Sequence, residues 1–172
     1  MDLEPSFNEG SPYRGGIFLR SGISEEYELR YLSCKFYSDF PHDLFPEILY
    51  KNSRPYAVFL VLIHGVKWAV PFRSHINHSY CFRTCPPKKC GIDYSKGVVI
   101  ADDSYLEIDI DVVVNQAEFN NLKGNQKLVL KGFRNYLKSY KKAKGSMHID
   151  RSRTLVENSS LQYFEESFID KV

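Results

Sequence analysis

The chain has 172 residues, 23 Lys plus Arg against 21 Asp plus Glu, 43% hydrophobic residues, and only 10 Gly and 8 Pro, the balance of one globular domain long enough to bury a core. The longest apolar run, Tyr56 to Ile63, is far short of the roughly 20 residues a membrane helix needs. The opening Met1-Asp2-Leu3-Glu4-Pro5 has neither the basic start nor the apolar stretch of a secretory signal, so membrane-spanning, secreted, collagenous and disordered classes are set aside and a cytoplasmic location is expected.

Residues 1–23 hold Pro5, Gly10, Pro12, Gly15, Gly16 and Gly22 with little apolar periodicity and read as a flexible extension or leader, leaving 24–172 as one domain. Glu28 to Leu32 predicts a short strand, and Ser33 an N-cap for a helix carrying Phe36, Tyr37 and Phe40. Pro41 and Pro46 end that helix and interrupt the next stretch of chain. Tyr56 to Ile63, a His64-Gly65 turn and Val66 to Phe72 predict a central β-hairpin, because β-branched and aromatic residues flank a two-residue turn containing Gly. Its first arm is apolar on both faces, which predicts cover on both sides.

Further strands are expected at Gly97 to Ala101 and Ile108 to Val114. Beyond Asn115 the period changes to helical, with Phe119 and Leu122 in a short helix. Val129, Phe133, Tyr136, Leu137 and Tyr140 then form the apolar stripe of a longer one. Ser159 with Gln162 resembles a capping box before a last short helix carrying Leu161, Phe164 and Phe168. The fold class expected is α+β, a mainly antiparallel sheet with flanking helices.

The net charge of +2 conceals an asymmetry: Lys123 to Arg153 holds ten basic residues and one acid, Asp150, hence +9, and the rest of the chain carries −7. On the long helix, Lys127, Lys131, Lys138, Lys141 and Lys142 fall mostly off the apolar stripe, with Arg134 beside them. Such a face is a footprint for nucleic acid or a solvated lysine-rich surface.

The second hairpin arm runs into Arg73-Ser74-His75-Ile76-Asn77-His78-Ser79-Tyr80. Imidazole moves protons near neutral pH, Arg clamps phosphate oxygens, and Ser or Asn hydrogen-bonds them. RNA cleavage needs little more, because the ribose 2′-hydroxyl is a nucleophile already present in the substrate. Arg54 before the first arm and Lys96 after Tyr94-Ser95 supply further cations, and Tyr80 and Tyr94 are candidate stacking surfaces. His75, His78, Cys81, Cys85 and Cys90 lie within sixteen residues and suggest a zinc site, but no C-x-x-C pair supports it. No phosphate loop, H-E-x-x-H or nucleophile elbow is present.

Three strings stand together here: Arg54-Pro55-Tyr56 before an apolar strand, Val70-Pro71-Phe72-Arg73-Ser74 with Asn77-His78, and Cys90-Gly91-Ile92-Asp93-Tyr94-Ser95-Lys96 ahead of Val98-Val99-Ile100. With the closing Ser160-Leu161-Gln162-Tyr163-Phe164, they resemble the toxins of type III toxin–antitoxin systems, in particular the TenpN branch of the ToxN/AbiQ-like superfamily, over roughly Glu28 to Phe168. The resemblance implies a compact, strongly twisted antiparallel sheet akin to the barrel-like core of small ribonuclease toxins. It also implies a metal-independent endoribonuclease, with no cofactor, that leaves 2′,3′-cyclic phosphate and 5′-hydroxyl ends and serves phage defence by abortive infection. Its partner would be an antitoxin RNA of tandem pseudoknot repeats, processed by the toxin and bound with it in an RNA-bridged heteromer.

By position, Ser74 matches the family serine at the scissile phosphate. Arg73 stands where the ToxN branch has Thr, Arg54 where it has a functional Lys, and Ile76 where it has a second one, whose role then passes to His78 or His75. The expected catalytic set is therefore Ser74, Arg73, His78, Arg54, His75 and Lys96. Asn77, Tyr80, Tyr94, Lys127, Lys131, Arg134, Lys138, Lys141 and Lys142 are expected to bind RNA. The alternative from a different class is a non-catalytic RNA-binding module built on the basic helix 123–144.

Overall fold

The computed structural model describes residues 28–51, 56–107, 110 and 112–172. The expected extension 1–23 and Arg54 lie outside the described residues. The fold is α+β, with a mainly antiparallel six-stranded sheet and helices packed on it.

Strand β1 (Glu28–Tyr31) leads into α1 (Cys34–Asp39). As expected, Ser33 caps α1, its hydroxyl accepting from the Phe36 N–H, and Phe36 is wholly buried. The hairpin is β2 (Ala57–Ile63) and β3 (Val66–Arg73), in register from Val58 opposite Pro71 to Ile63 opposite Val66. Both turn residues have positive φ, 50° at His64 and 75° at Gly65, the requirement of the type I′ turn that matches strand twist. Both hairpin faces are covered. Trp68, on one face, meets Phe133 and Phe168 edge-on at 5.2 and 5.0 Å, while Val58, Ala69 and Pro71 face Tyr37, Ile48 and Leu49.

Two strands absent from the sequence reading complete the sheet: β4 (Cys81–Cys85) and β5 (Cys90–Asp93), a short hairpin in the segment that carries the cysteines. The expected strand 97–101 shrinks to β6 (Val98–Val99), and the expected strand 108–114 is not formed among its described residues Ile110 and Val112 to Val114. The order is β1-β2-β3-β5-β4, with β6 also paired to β3. Among the described residues β1 and β4 are edges, so the sheet is open and the expected barrel-like closure is absent. One side of β3 is shared: its Trp68 and Ala69 pair with β6, while its Phe72 and Arg73 pair with β5. Pro71, with no N–H to donate, falls between the two partners.

After β6 the chain is helical: α2 (Gln116–Leu122), α3 (Gln126–Lys144), α4 (Asp150–Glu157) and α5 (Glu165–Phe168). The stripe predicted for α3 is buried in full, Val129, Phe133, Tyr136, Leu137 and Tyr140 lying against the sheet. At about 2 kcal/mol for each large apolar side chain removed from water, this stripe is a principal stabiliser of the fold. Tyr140 also donates to Glu165 Oε1 at 2.6 Å, which ties α3 to α5. Ser159 caps as expected, accepting from the Leu161 N–H, but it opens a 3-10 turn, Ser160–Tyr163, and Gln162 donates to the Ser159 and Glu157 carbonyls instead of closing a capping box. No helix among the described residues is long and apolar enough to cross a membrane.

Candidate functional site

Where β3 ends, the chain turns through Ser74 and His75, the latter at φ 58°. Ile76 then dives into the core, wholly buried, and its N–H donates to the Lys89 carbonyl at 3.0 Å. This anchor pins the loop to the β4–β5 hairpin and returns His78 to the side on which Arg73 projects. Ile76 thus has a packing role, and no cation could take its place in so dry a position.

The residue that unites the site is Asp93, at the end of β5. Its side chain is 0% exposed, and its two oxygens are shared among three neighbours. Arg73 Nη1 donates to Oδ2 at 2.9 Å. The Ser95 N–H and hydroxyl donate to Oδ1 at 3.0 and 2.7 Å. His78 Nε2 lies 3.4 Å from Oδ1, and 3.5 Å from the Ser95 hydroxyl. Burial alone raises the carboxyl's pKa, but the hydrogen bonds from His78, Ser95 and Arg73 outweigh it and hold Asp93 below the ordinary carboxylate range. A charged Asp93 orients the imidazole and the guanidinium. His78 Nδ1 is buried without a hydrogen-bond partner among the described residues.

These groups open onto a cleft of about 490 Å³ lined by Arg73, His78, Tyr80, Ser95, Lys96 and Tyr136, and closed by α4 through Arg151, Thr154, Leu155 and Asn158. A second, more open depression of about 520 Å³ also reaches His78 and is bordered by Asn77, Arg83 and Lys89. Lys96 is the most constrained cation of the cleft. It forms an ion pair with Glu47 and donates to the Asn158 carbonyl at 2.9 Å, so it braces the α1–β2 segment against α4.

Of the expected catalytic residues, Arg73, His78 and Lys96 converge on the cleft. Ser74 and His75 sit on the exposed turn, with Ser74 Oγ 3.2 Å from His75 Nδ1, and neither lines the cleft. Tyr80 lines it and packs against Tyr136 with ring centroids 5.2 Å apart. Asn77 is exposed and accepts from Lys89 Nζ at 3.0 Å.

Tyr94 is a correction. It is 6% exposed, packed against Phe133 and Tyr136, and burial drives its hydroxyl pKa up. It fills the core and offers no face for a base to stack on. On α3, Lys127, Lys131, Lys138, Lys141 and Lys142 are exposed and Arg134 is half-buried. Lys141 donates to the Val172 carbonyl at 2.7 Å.

The cysteines do not assemble with the histidines. Cys81 and Cys90 point their thiols at the His78 and Lys88 carbonyls, and among the described residues no three His, Cys, Asp or Glu side chains converge as metal ligands.

Sequence reasoning missed Asp93, Ser95, Glu47 and Arg151 as site residues. Asp93 carried a readable signal: a lone carboxylate between Ile92 and Tyr94 in an apolar stretch is buried only if partnered. Arg151 carried none, because its helix lacks an apolar period. Comparisons with protein-family models, curated proteins and solved structures find no match to this chain.

Proposed function

We propose that the protein is a metal-independent endoribonuclease acting by attack of the ribose 2′-hydroxyl on the adjoining phosphate, and that it is a toxin of the type III kind, restrained by a repeat pseudoknot RNA that it processes and released in phage defence. The observation that carries the reading is the buried Asp93, which holds Arg73 and His78 together at the mouth of a cationic cleft. In the proposed reaction the His78 ring, whose Nε2 is directed at Asp93 and whose Nδ1 is buried, turns to bring Nδ1 to the 2′-hydroxyl and takes its proton as the 2′-oxygen bonds to phosphorus. Arg73 balances the charge that builds on the phosphoryl oxygens. The bond to the 5′-oxygen breaks and that oxygen is protonated from water at the open mouth, giving a 2′,3′-cyclic phosphate and a 5′-hydroxyl.

The test is incubation of the purified protein with mixed RNA in EDTA, beside Ser74→Ala and His78→Ala, with the ends mapped. Discrete 5′-hydroxyl and cyclic phosphate ends that vanish in His78→Ala are expected. Intact RNA that is nonetheless bound would overturn the reading in favour of a non-catalytic RNA-binding module. The exposed lysine face of α3 is the observation that favours that second reading.

A further inference from the structure

Helix α4 packs on α3 through Val156, its one buried residue, with Leu155 half-buried against the core. Arg151, Thr154, Leu155 and Asn158 all line the cleft, and their i, i+3, i+4, i+7 spacing places them on one helical face. This face rims the open side of the cleft, with Arg151, Thr154 and Asn158 exposed and Leu155 half-buried. Here it presents a guanidinium, a hydroxyl, an isobutyl group and an amide.

The amide is positioned rather than loose. Asn158 Nδ2 donates to the Thr154 carbonyl at 2.8 Å, while Lys96 fixes the Asn158 backbone carbonyl at 2.9 Å. That leaves Oδ1 as an acceptor unused among the described residues. Arg153, on the other side of the helix, is paired with Asp150, whereas the Arg151 guanidinium has no partner among the described residues. Half-buried Tyr80, backed by Tyr136 at 53° between ring planes, supplies an aromatic wall in the same cleft.

An aromatic and an aliphatic wall, an oriented amide and hydroxyl, and an adjoining unpaired cation are what single-stranded RNA recognition uses to hold a base by its face and read its edge. The cleft volume of about 490 Å³ is within the size range of small-ligand sites.

We propose that this face of α4 is the base-reading wall of the site: a nucleobase next to the cleaved phosphate lies between Tyr80 and Leu155, Thr154 and Asn158 hydrogen-bond its edge, and Arg151 takes the neighbouring phosphate. The proposal rests on the ribonuclease reading of the cleft.

It is tested with four oligoribonucleotides that differ only in the base beside the mapped cleavage point. The wild-type protein discriminates among them, and Asn158→Ala and Thr154→Val each compress the spread of kcat/KM by roughly 10-fold, with melting temperature measured alongside to exclude misfolding. Arg151→Ala raises KM for all four together, as loss of a phosphate contact does. A uniform fall for all four in Asn158→Ala overturns the proposal.

Binding of 2′-O-methyl homopolymer octamers, followed by fluorescence anisotropy, separates this from failure of the ribonuclease reading. Base-dependent affinity that Asn158→Ala abolishes supports the wall even if no RNA is cleaved. Affinity indifferent to base in the wild-type protein overturns the wall even if RNA is cleaved.

Discussion

The two concentrations of positive charge differ in how they are built. On α3 the lysines stand in water on the side of the helix opposite its buried stripe, and their spacing follows from helical period alone. In the cleft each cation is placed by a different element, Arg73 by β3, Lys96 by the turn after β5 and Arg151 by α4, and Arg73 and Lys96 are fixed by carboxylates on neighbouring segments. A solvated face attracts a polyanion without orienting it, whereas an ordered cluster in a partly dry cleft can stabilise charge at one point. On the proposed function, the chemistry belongs to the cleft and capture of the RNA backbone to α3.

The sharpest way to break the comparison is His78→Ala, which on the proposed function lowers the rate of RNA cleavage by about 10³-fold, within the range for loss of a general base, while RNA binding persists. Retained RNA cleavage in that variant would remove His78 from the proposed mechanism.

Next is Asp93→Ala, expected to cost about 3 kcal/mol, the low end for breaking a buried ion pair because Arg73 keeps 33% of its side chain exposed. In a protein of this size that lowers the melting temperature by roughly 10 °C. Because the folded-state pKa of Asp93 is depressed, its stabilisation is present above the unfolded value and is lost as pH falls through the folded one, below about pH 4. Asp93→Asn should flatten that part of the melting-temperature profile. A profile as steep as that of the wild-type protein would show that Asp93 is not charged in the fold.

On the buried side of α3, Gly132→Ala tests packing alone. A Cβ at Gly132 would lie 2.2 Å from the Tyr94 hydroxyl, so Tyr94 must shift. A loss of about 1–2 kcal/mol in urea unfolding is expected, despite the better helix propensity of alanine. The smallest structural effect belongs to the exposed face. Replacing Lys138, Lys141 and Lys142 with Ala should change stability by less than about 0.5 kcal/mol. It should also reduce the dependence of log affinity on log salt by about 2, the value for three single-strand phosphate contacts. An unaltered slope would make the lysine face a solvated surface only.

Local patterning was legible in the sequence. The hairpin at Tyr56 to Phe72, the Ser33 cap and the α3 stripe from Val129 to Tyr140 were readable because each signal lies within one element. The β4–β5 hairpin was not, because its short strands Cys-Phe-Arg-Thr-Cys and Cys-Gly-Ile-Asp carry little alternation, and the cysteines drew attention to metal chemistry instead. Nor was α4, whose cleft-facing stripe is polar and so lacks the apolar period by which helices are recognised.

The sequence by itself therefore determined the α+β class, the central hairpin and the charged helix, and it pointed to the segment Arg73 to Tyr80 as the candidate site. Only the tertiary structure decided which of those residues come together. It sank Ile76 and Tyr94 into the core, left Ser74 and His75 outside the cleft, and brought Arg73, His78 and Ser95 onto one buried carboxylate at Asp93. That selection depends on the antiparallel pairing of β3 with β5 and on the docking of α4, contacts between distant segments that no local pattern encodes.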